Sequence, residues 1–170
     1  SSDKMAMIRD ATTEDAKRLC EIYNYYVEHT TVTFEEQAIS VEQMRGRIAA
    51  ALEDYAWLVY EADGDVQAYA YGSRWGVRSA YRYSVESTIY VAPSRQGQGV
   101  GSRLYRTLLA RLRACGYHAV LARLALPNDP SVRLHEKVGF EKVGHIRQAG
   151  RKFDKWIDVG YWEVLVGSGD

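Results

Sequence analysis

Glu86–Leu112 reads ESTIYVAPSRQGQGVGSRLYRTLLARL, and its order decides the fold. The stretch from Ser84 to Val91 alternates with period two. Val85, Ser87, Ile89 and Val91 fall on one face of a strand, and Glu86, Thr88 and Tyr90 on the other. Pro93 ends the run, and Gly97, Gly99 and Gly101 follow. Leu104, Leu108 and Leu112 then recur at helical spacing. Strand, glycine loop and helix in this order hold phosphate. A helix N-terminus carries unpaired N–H groups and partial positive charge, and glycines let an anion approach the backbone.

Downstream, the helix stops at Gly116, and His118–Leu126 is a nearly continuous apolar run that suits a strand covered on both faces. Asn128-Asp129-Pro130 starts another helix, with Pro at the first helical position, and Gly139 ends it. Lys142–Gln148 and Trp156–Val166 read as two last strands, with a loop holding Gly150, Arg151, Lys152 and Lys155 between them. Upstream, Met7–Asp10 is a short strand and Thr12 caps a helix to Glu28. Ser40 and Gln43 form a capping box for a second helix that buries Val41, Met44, Ile48 and Leu52. Ala56–Glu61 and Val66–Tyr71 flank the hairpin signal Asp63-Gly64. Trp75–Tyr83 carries arginines among aromatics without a period and reads as a loop. The order βααβββαβαββ describes one α/β domain over residues 5–168. Residues 1–4 are expected to be an expression remnant and are set aside.

A chain of 170 residues fits one domain that buries roughly 70% of its unfolded surface. Its formal net charge is zero, which gives no global pull toward nucleic acid or an anionic membrane. No apolar run is long enough for a membrane helix, and no signal peptide is visible, so a cytoplasmic protein is expected. Cys20 and Cys115 are far apart and form no metal or redox pattern; both are expected to be buried free thiols. The four histidines show no ligand spacing, and no metal is expected.

The glycine loop has rival owners. A nucleotide P-loop needs Gly-Lys-Ser/Thr at its end, but Gly101 is followed by Ser102-Arg103. A dinucleotide fingerprint needs a different final glycine spacing and an acid about 20 residues on. Gln96-Gly97-Gln98-Gly99-Val100-Gly101 instead fits Gln/Arg-x-x-Gly-x-Gly/Ala, and here the chain resembles the GNAT N-acetyltransferase superfamily from Ile8 to Val166. Val85-Glu86-Ser87-Thr88, the run from Leu126 to Glu136, and Trp156-Ile157-Asp158-Val159-Gly160 resemble the phosphinothricin N-acetyltransferases and their bacterial amino-acid N-acyltransferase relatives.

That resemblance implies a single-domain GNAT fold: a mixed, mostly antiparallel sheet with splayed central strands and helices on both faces. It implies acetyl-CoA as co-substrate. The backbone of Gln96, Gly97, Gln98, Gly99, Val100, Gly101 and Ser102 would hold the pyrophosphate. Ile89, Tyr90 and Val91 would pair with the pantetheine arm like an added strand, with Asn128 on the far side. Arg95 and Arg103 flank the loop and could meet the 3′-phosphate. Glu86 is the expected base, because an ammonium must lose a proton before it can attack; a solvent-facing or arginine-paired glutamate is the alternative. His135 is the second candidate, as acid toward the leaving thiolate or as a residue orienting substrate and Glu86; a satisfied core histidine is the alternative. Phe34, Arg78 and Tyr81 match substrate-site positions. Gly76 and Ala125 depart from one such enzyme, which has lysine and glycine there.

The reaction implied is direct transfer of acetyl, in a ternary complex, to the α-amino group of a small anionic amino-acid analogue of the phosphinothricin, methionine sulfoximine or methionine sulfone type. A homodimer is implied by the relatives, with no nucleic-acid or membrane partner. Two alternatives stay open: the same fold acting on a larger amine, such as a protein N-terminus or an antibiotic, and a CoA-binding sensor without catalysis.

Overall fold

The computed structural model describes residues 5–168, and the expected remnant at 1–4 lies outside them. The elements are β1 (Met7–Asp10), α1 (Ala16–His29), α2 (Val41–Asp54), β2 (Trp57–Ala62), β3 (Asp65–Arg74), β4 (Ser84–Val91), α3 (Val100–Ala114), β5 (Ala119–Leu126), α4 (Asp129–Lys137), β6 (Glu141–Lys152) and β7 (Lys155–Leu165). Short 3₁₀ turns stand at Thr13–Asp15, Ser79–Tyr81 and Pro93–Arg95. Among the described residues no helix is long and apolar enough to cross a membrane.

The seven strands lie in the order β1-β2-β3-β4-β5-β7-β6. Every neighbouring pair is antiparallel except β4 and β5. That parallel pair is brief: Ser84, Val85 and Glu86 stand opposite Ala119, Val120 and Leu121. Beyond Glu86, β4 continues to Val91 paired only with β3, while β5 continues paired only with β7. The sheet is therefore split at its centre, and the split opens toward the glycine loop.

Alternation along the strands divides the core between two faces. Leu58, Tyr60, Ala70 and Val85 pack on α3, where Leu104, Leu108 and Leu112 have no exposed surface. Trp57, Val59 and Tyr69 face Leu19, Ile22, Met44 and Ile48 of α1 and α2. Each such side chain contributes about 1.5–3 kcal/mol by leaving water. The helix starts are closed locally. Thr12 accepts from the Glu14 N–H and Asp15 accepts from the Thr12 N–H, while Ser40 and Gln43 reciprocate in the same way. Arg9 holds Asp15 at 2.8 Å, so strand β1 and the cap of α1 are tied together.

Several expectations are corrected. Leu52 is 39% exposed: Met44 and Ile48 carry the buried face of α2, with Val41 and Ala51 partly covered beside them. Cys115 is exposed at the end of α3, whereas Cys20 is buried and directs its thiol to the Ile39 carbonyl. Pro130 is the second helical residue, since Asn128 is the cap and Asp129 is the first. The segment holding Gly150 to Lys155 is no loop: β6 and β7 pair out to Lys152 and Lys155. They turn through Phe153 and Asp154, both at positive φ (52° and 60°), a two-residue reversal made without glycine. Finally, β5 is not apolar on both faces throughout, because Arg123 is exposed in its middle.

Candidate active site

The glycine loop builds the first half of the site. Gly97 and Gly99 have φ of +76° and +79°, and a Cβ at either would meet nothing within 4 Å. The left-handed backbone, not crowding, calls for glycine there. Gly99 is the cap of α3, so the N–H groups of Val100 to Ser102 have no carbonyl within the helix. Gly101 is different: a Cβ would press on Leu134 of α4 at 3.2 Å, so its absence lets the two helices close at the loop. Tyr26 of α1 fastens the loop from the opposite face. Its hydroxyl donates to the Val91 carbonyl and accepts from Gln96 Nε2 at 2.6 Å.

The split in the sheet builds the second half. A cleft of about 700 Å³ runs from the glycine loop along the diverging strands. Ile89, Tyr90 and Val91 line one wall, and Asn128 and His135 the other. Gln96, Gly97, Gly99, Gly101 and Ser102 close its end. Gln98 and Val100 do not line it: the Gln98 amide points back to the Ser94 carbonyl, and Val100 is buried. Asn128 Oδ1 accepts the Ser131 N–H as the cap of α4, which leaves its amide N–H groups for the cleft. Arg95 lines the cleft, while Arg103 donates to the Tyr60 hydroxyl at 3.1 Å. The residues present suit an anionic, elongated ligand: free helix N–H groups at one end and unpaired strand edges along its length.

Glu86 is the last residue of β4 to pair with β5, so it sits at the fork. Its side chain is 19% exposed, and Oε1 takes both Nε and Nη2 of Arg123, at 3.1 and 3.0 Å. Burial raises the Glu86 carboxyl above its ordinary value, and the arginine charge opposes the rise. Of the readings of Glu86 from the sequence, the arginine-paired one is visible: it is half-buried and paired, and it does not itself line the cleft, which reaches its neighbours Ser87 and Thr88 and its partner Arg123. His135 is buried, with Nδ1 2.7 Å from the Ser131 carbonyl and Nε2 3.0 Å from the Tyr105 hydroxyl. A carbonyl can only accept, so Nδ1 carries the hydrogen. Burial pulls the imidazole down to about 4, so it is neutral at pH 7 and Nε2 accepts from Tyr105. Ser87 Oγ completes the row, 2.5 Å from the Tyr105 hydroxyl.

Phe34, Arg78 and Tyr81 are exposed and lie outside the cleft wall. Phe34 rests on Gly150, where a Cβ would overlap its ring. Tyr81 covers Gly76, where a Cβ would come within 2.7 Å of the ring. Arg78 precedes the 3₁₀ turn Ser79–Tyr81 in the loop between β3 and β4. Ala125, the other departure, lines the cleft.

Residues 8–160 match the model of the acetyltransferase (GNAT) domain. The chain belongs to the GNAT acetyltransferase family. It is 42% identical over 156 residues to a phosphinothricin N-acetyltransferase of Streptomyces viridochromogenes, spanning 92% of this chain and 85% of that one. A Salmonella typhimurium L-methionine sulfoximine/L-methionine sulfone acetyltransferase is 34% identical over 92% of both chains. The solved GNAT phosphinothricin acetyltransferase of Sinorhizobium meliloti, in complex with AcCoA, superposes with a TM-score of 0.93 at 32% identity, covering 97% of this chain and 90% of that one. A Salmonella typhimurium structure carrying its cofactor acetyl-CoA superposes at 0.92 with 32% identity over 96% and 95%.

Three side chains of this GNAT site escape a reading of the sequence. Tyr26 and Tyr105 fall on apolar helix stripes and look like core. Arg123 interrupts an apolar strand, and that interruption was the available signal.

Proposed function

We propose that the protein acetylates the α-amino group of a small amino-acid-like substrate from acetyl-CoA, by direct transfer with both substrates bound. The observation that carries this reading is the position of Glu86 at the fork, next to Ser87, Thr88 and Arg123, which line the cleft leading from the glycine loop. Acetyl-CoA supplies an activated acyl group: a C–N bond forms to the amine, the C–S bond breaks, and the sulfur leaves as thiolate.

Glu86 takes a proton from the incoming ammonium, directly or through a water. Its half-burial favours this, since a carboxyl raised above its ordinary value is a stronger base once ionised. The nitrogen sheds two protons in all. One passes through Glu86 to solvent and the other ends on sulfur. His135 is better suited to hold Tyr105 and Ser87 in place than to act as acid, because its only ring hydrogen faces the Ser131 carbonyl. The free N–H groups of Val100 to Ser102 and the α3 dipole suit the pyrophosphate, and the open edge of β4 from Ile89 to Val91 suits the pantetheine amides.

The names of the relatives support phosphinothricin, methionine sulfoximine and methionine sulfone as acceptor types. Arg78 suits their tetrahedral polar group, with Phe34 and Tyr81 as walls of the open acceptor end. The long, exposed edge strand β6, with Val143 56% and Ile146 49% exposed, favours a homodimer, which sedimentation measures directly. The deciding experiment is thiol release from acetyl-CoA over amino acids, their phosphinate, sulfoximine and sulfone analogues, and peptides with free N-termini. Turnover concentrated on the small analogues is expected. Release only with peptides, or with no amine, overturns the reading.

A further inference from the structure

Arg123 is the most conspicuous side chain the expected site does not use. It is the second residue after Leu121, which stands opposite Glu86, so β-strand alternation puts it on the same face as Glu86, just beyond the last paired position. Its guanidinium carbon lies 5.1 Å from the Trp75 ring centre and 5.9 Å from that of Tyr161, its cross-strand partner. Those rings belong to the β3–β4 loop and to β7, so the arginine is held from two elements beside its own. Glu86 engages its Nε and Nη2 through one oxygen. A guanidinium has five N–H donors in a plane, so a further edge remains for a second acid. The side chain is 48% exposed and lines the cleft. An arginine steadied by aromatic faces, half solvated and partly saturated, is arranged to exchange one carboxylate for another.

We propose that Arg123 recognises the α-carboxylate of the amino-acid substrate and, in binding it, loosens its hold on Glu86 so that Glu86 is freed to take the ammonium proton. This rests on the acetyltransferase reading above and deepens it. The α-carboxylate and α-amino group share one carbon. An acid gripped at Arg123 therefore brings the amine beside Glu86, which contacts the same guanidinium. An amine lacking the carboxylate leaves the pair closed and Glu86 neutralised. Arg123 is thus a specificity residue for free amino acids over their amides and esters.

The test compares methionine sulfone with its carboxamide in wild type, Arg123→Met and Arg123→Lys, with acetyl-CoA affinity measured in each to show that the fold and cofactor grip persist. Wild type is expected to favour the acid by about 10–10² in kcat/KM, the size of a charge-assisted contact. In Arg123→Met that ratio collapses toward one, with both KM and kcat for the acid affected. Arg123→Lys recovers part of the preference, since it restores charge without the fork. An unchanged acid-to-amide ratio in Arg123→Met overturns the role of Arg123 while the acetyltransferase reading stands. Wild type that acetylates no amino acid overturns that reading, and this inference falls with it. Loss of acetyl-CoA binding in Arg123→Met assigns the residue to folding and also overturns the proposal.

Discussion

The Tyr105 hydroxyl lies 3.0 Å from His135 Nε2, and the Ser131 carbonyl lies 2.7 Å from Nδ1, so the neutral imidazole is satisfied on both sides. Burial holds its pKa at about 4 against an ordinary 6.5. The unfolded chain therefore binds a proton at a higher pH than the folded one. The stability this preserves is complete above pH 6.5 and is lost as pH falls from there through about 4. The difference corresponds to about 3 kcal/mol. Denaturant unfolding at pH 7 and pH 4 should show that loss in wild type, and His135→Asn should lose less over the same range. An identical pH dependence in both proteins excludes a neutral buried His135.

Glu86→Gln keeps the shape of the fork and removes its base. Turnover of the best acceptor should fall by about 10²–10⁴ in kcat/KM near neutral pH, with acetyl-CoA affinity retained. Turnover close to wild type assigns proton removal to another group.

Gly99→Ala isolates a backbone requirement from a steric one. No atom lies within 4 Å of the added methyl, yet φ is +79°. The left-handed conformation costs an L-residue about 1–2 kcal/mol, so the melting temperature should drop. Relaxation of the loop toward negative φ turns the α3 N–H groups, and the Kd for acetyl-CoA should rise as well. Unchanged stability and affinity together refute the loop geometry.

The proposed acceptor end rests on a contact between distant segments. Phe34 lies where a Cβ at Gly150 would be, and the buried Lys152 ammonium donates to the Thr33 carbonyl at 2.8 Å. Gly150→Ala should displace the ring, lowering stability by about 1–3 kcal/mol and raising KM for the acceptor more than for acetyl-CoA. Phe34→Leu in the same chain should recover part of the stability, giving a coupling that a double-mutant cycle reads. Additive effects dissolve the contact.

What the sequence made legible follows the range of the interactions. The glycine loop, the Ser40–Gln43 capping box and the alternation of β4 are local, and each appears in the structure where its residues predict it. Positive φ at Phe153 and Asp154 has no local signal, because neither residue is glycine, so the last hairpin reads as a loop. Leu52 and Cys115 follow helical periodicity but have no neighbour to bury them, since period alone does not tell where a helix leaves its sheet. The Glu86–Arg123 pair joins residues 37 apart across the one parallel contact of the sheet. Only the topology brings them together, and for that reason the pairing of Glu86 with Arg123 is invisible before folding.

Tyr26→Phe separates grip from chemistry. The hydroxyl ties α1 to both the Val91 carbonyl and Gln96, and neither of those bonds involves Glu86 or His135. Losing it leaves a partly buried carbonyl without its donor, which costs about 1–3 kcal/mol, and frees the loop end that Gln96 anchors. Calorimetry should show weaker acetyl-CoA binding, and kcat at saturating acetyl-CoA should stay close to wild type because the fork is untouched. If kcat falls while affinity holds, the strand edge at Val91 sets the position of the reacting thioester rather than the strength of its binding, and the division between loop and fork drawn from the geometry is wrong.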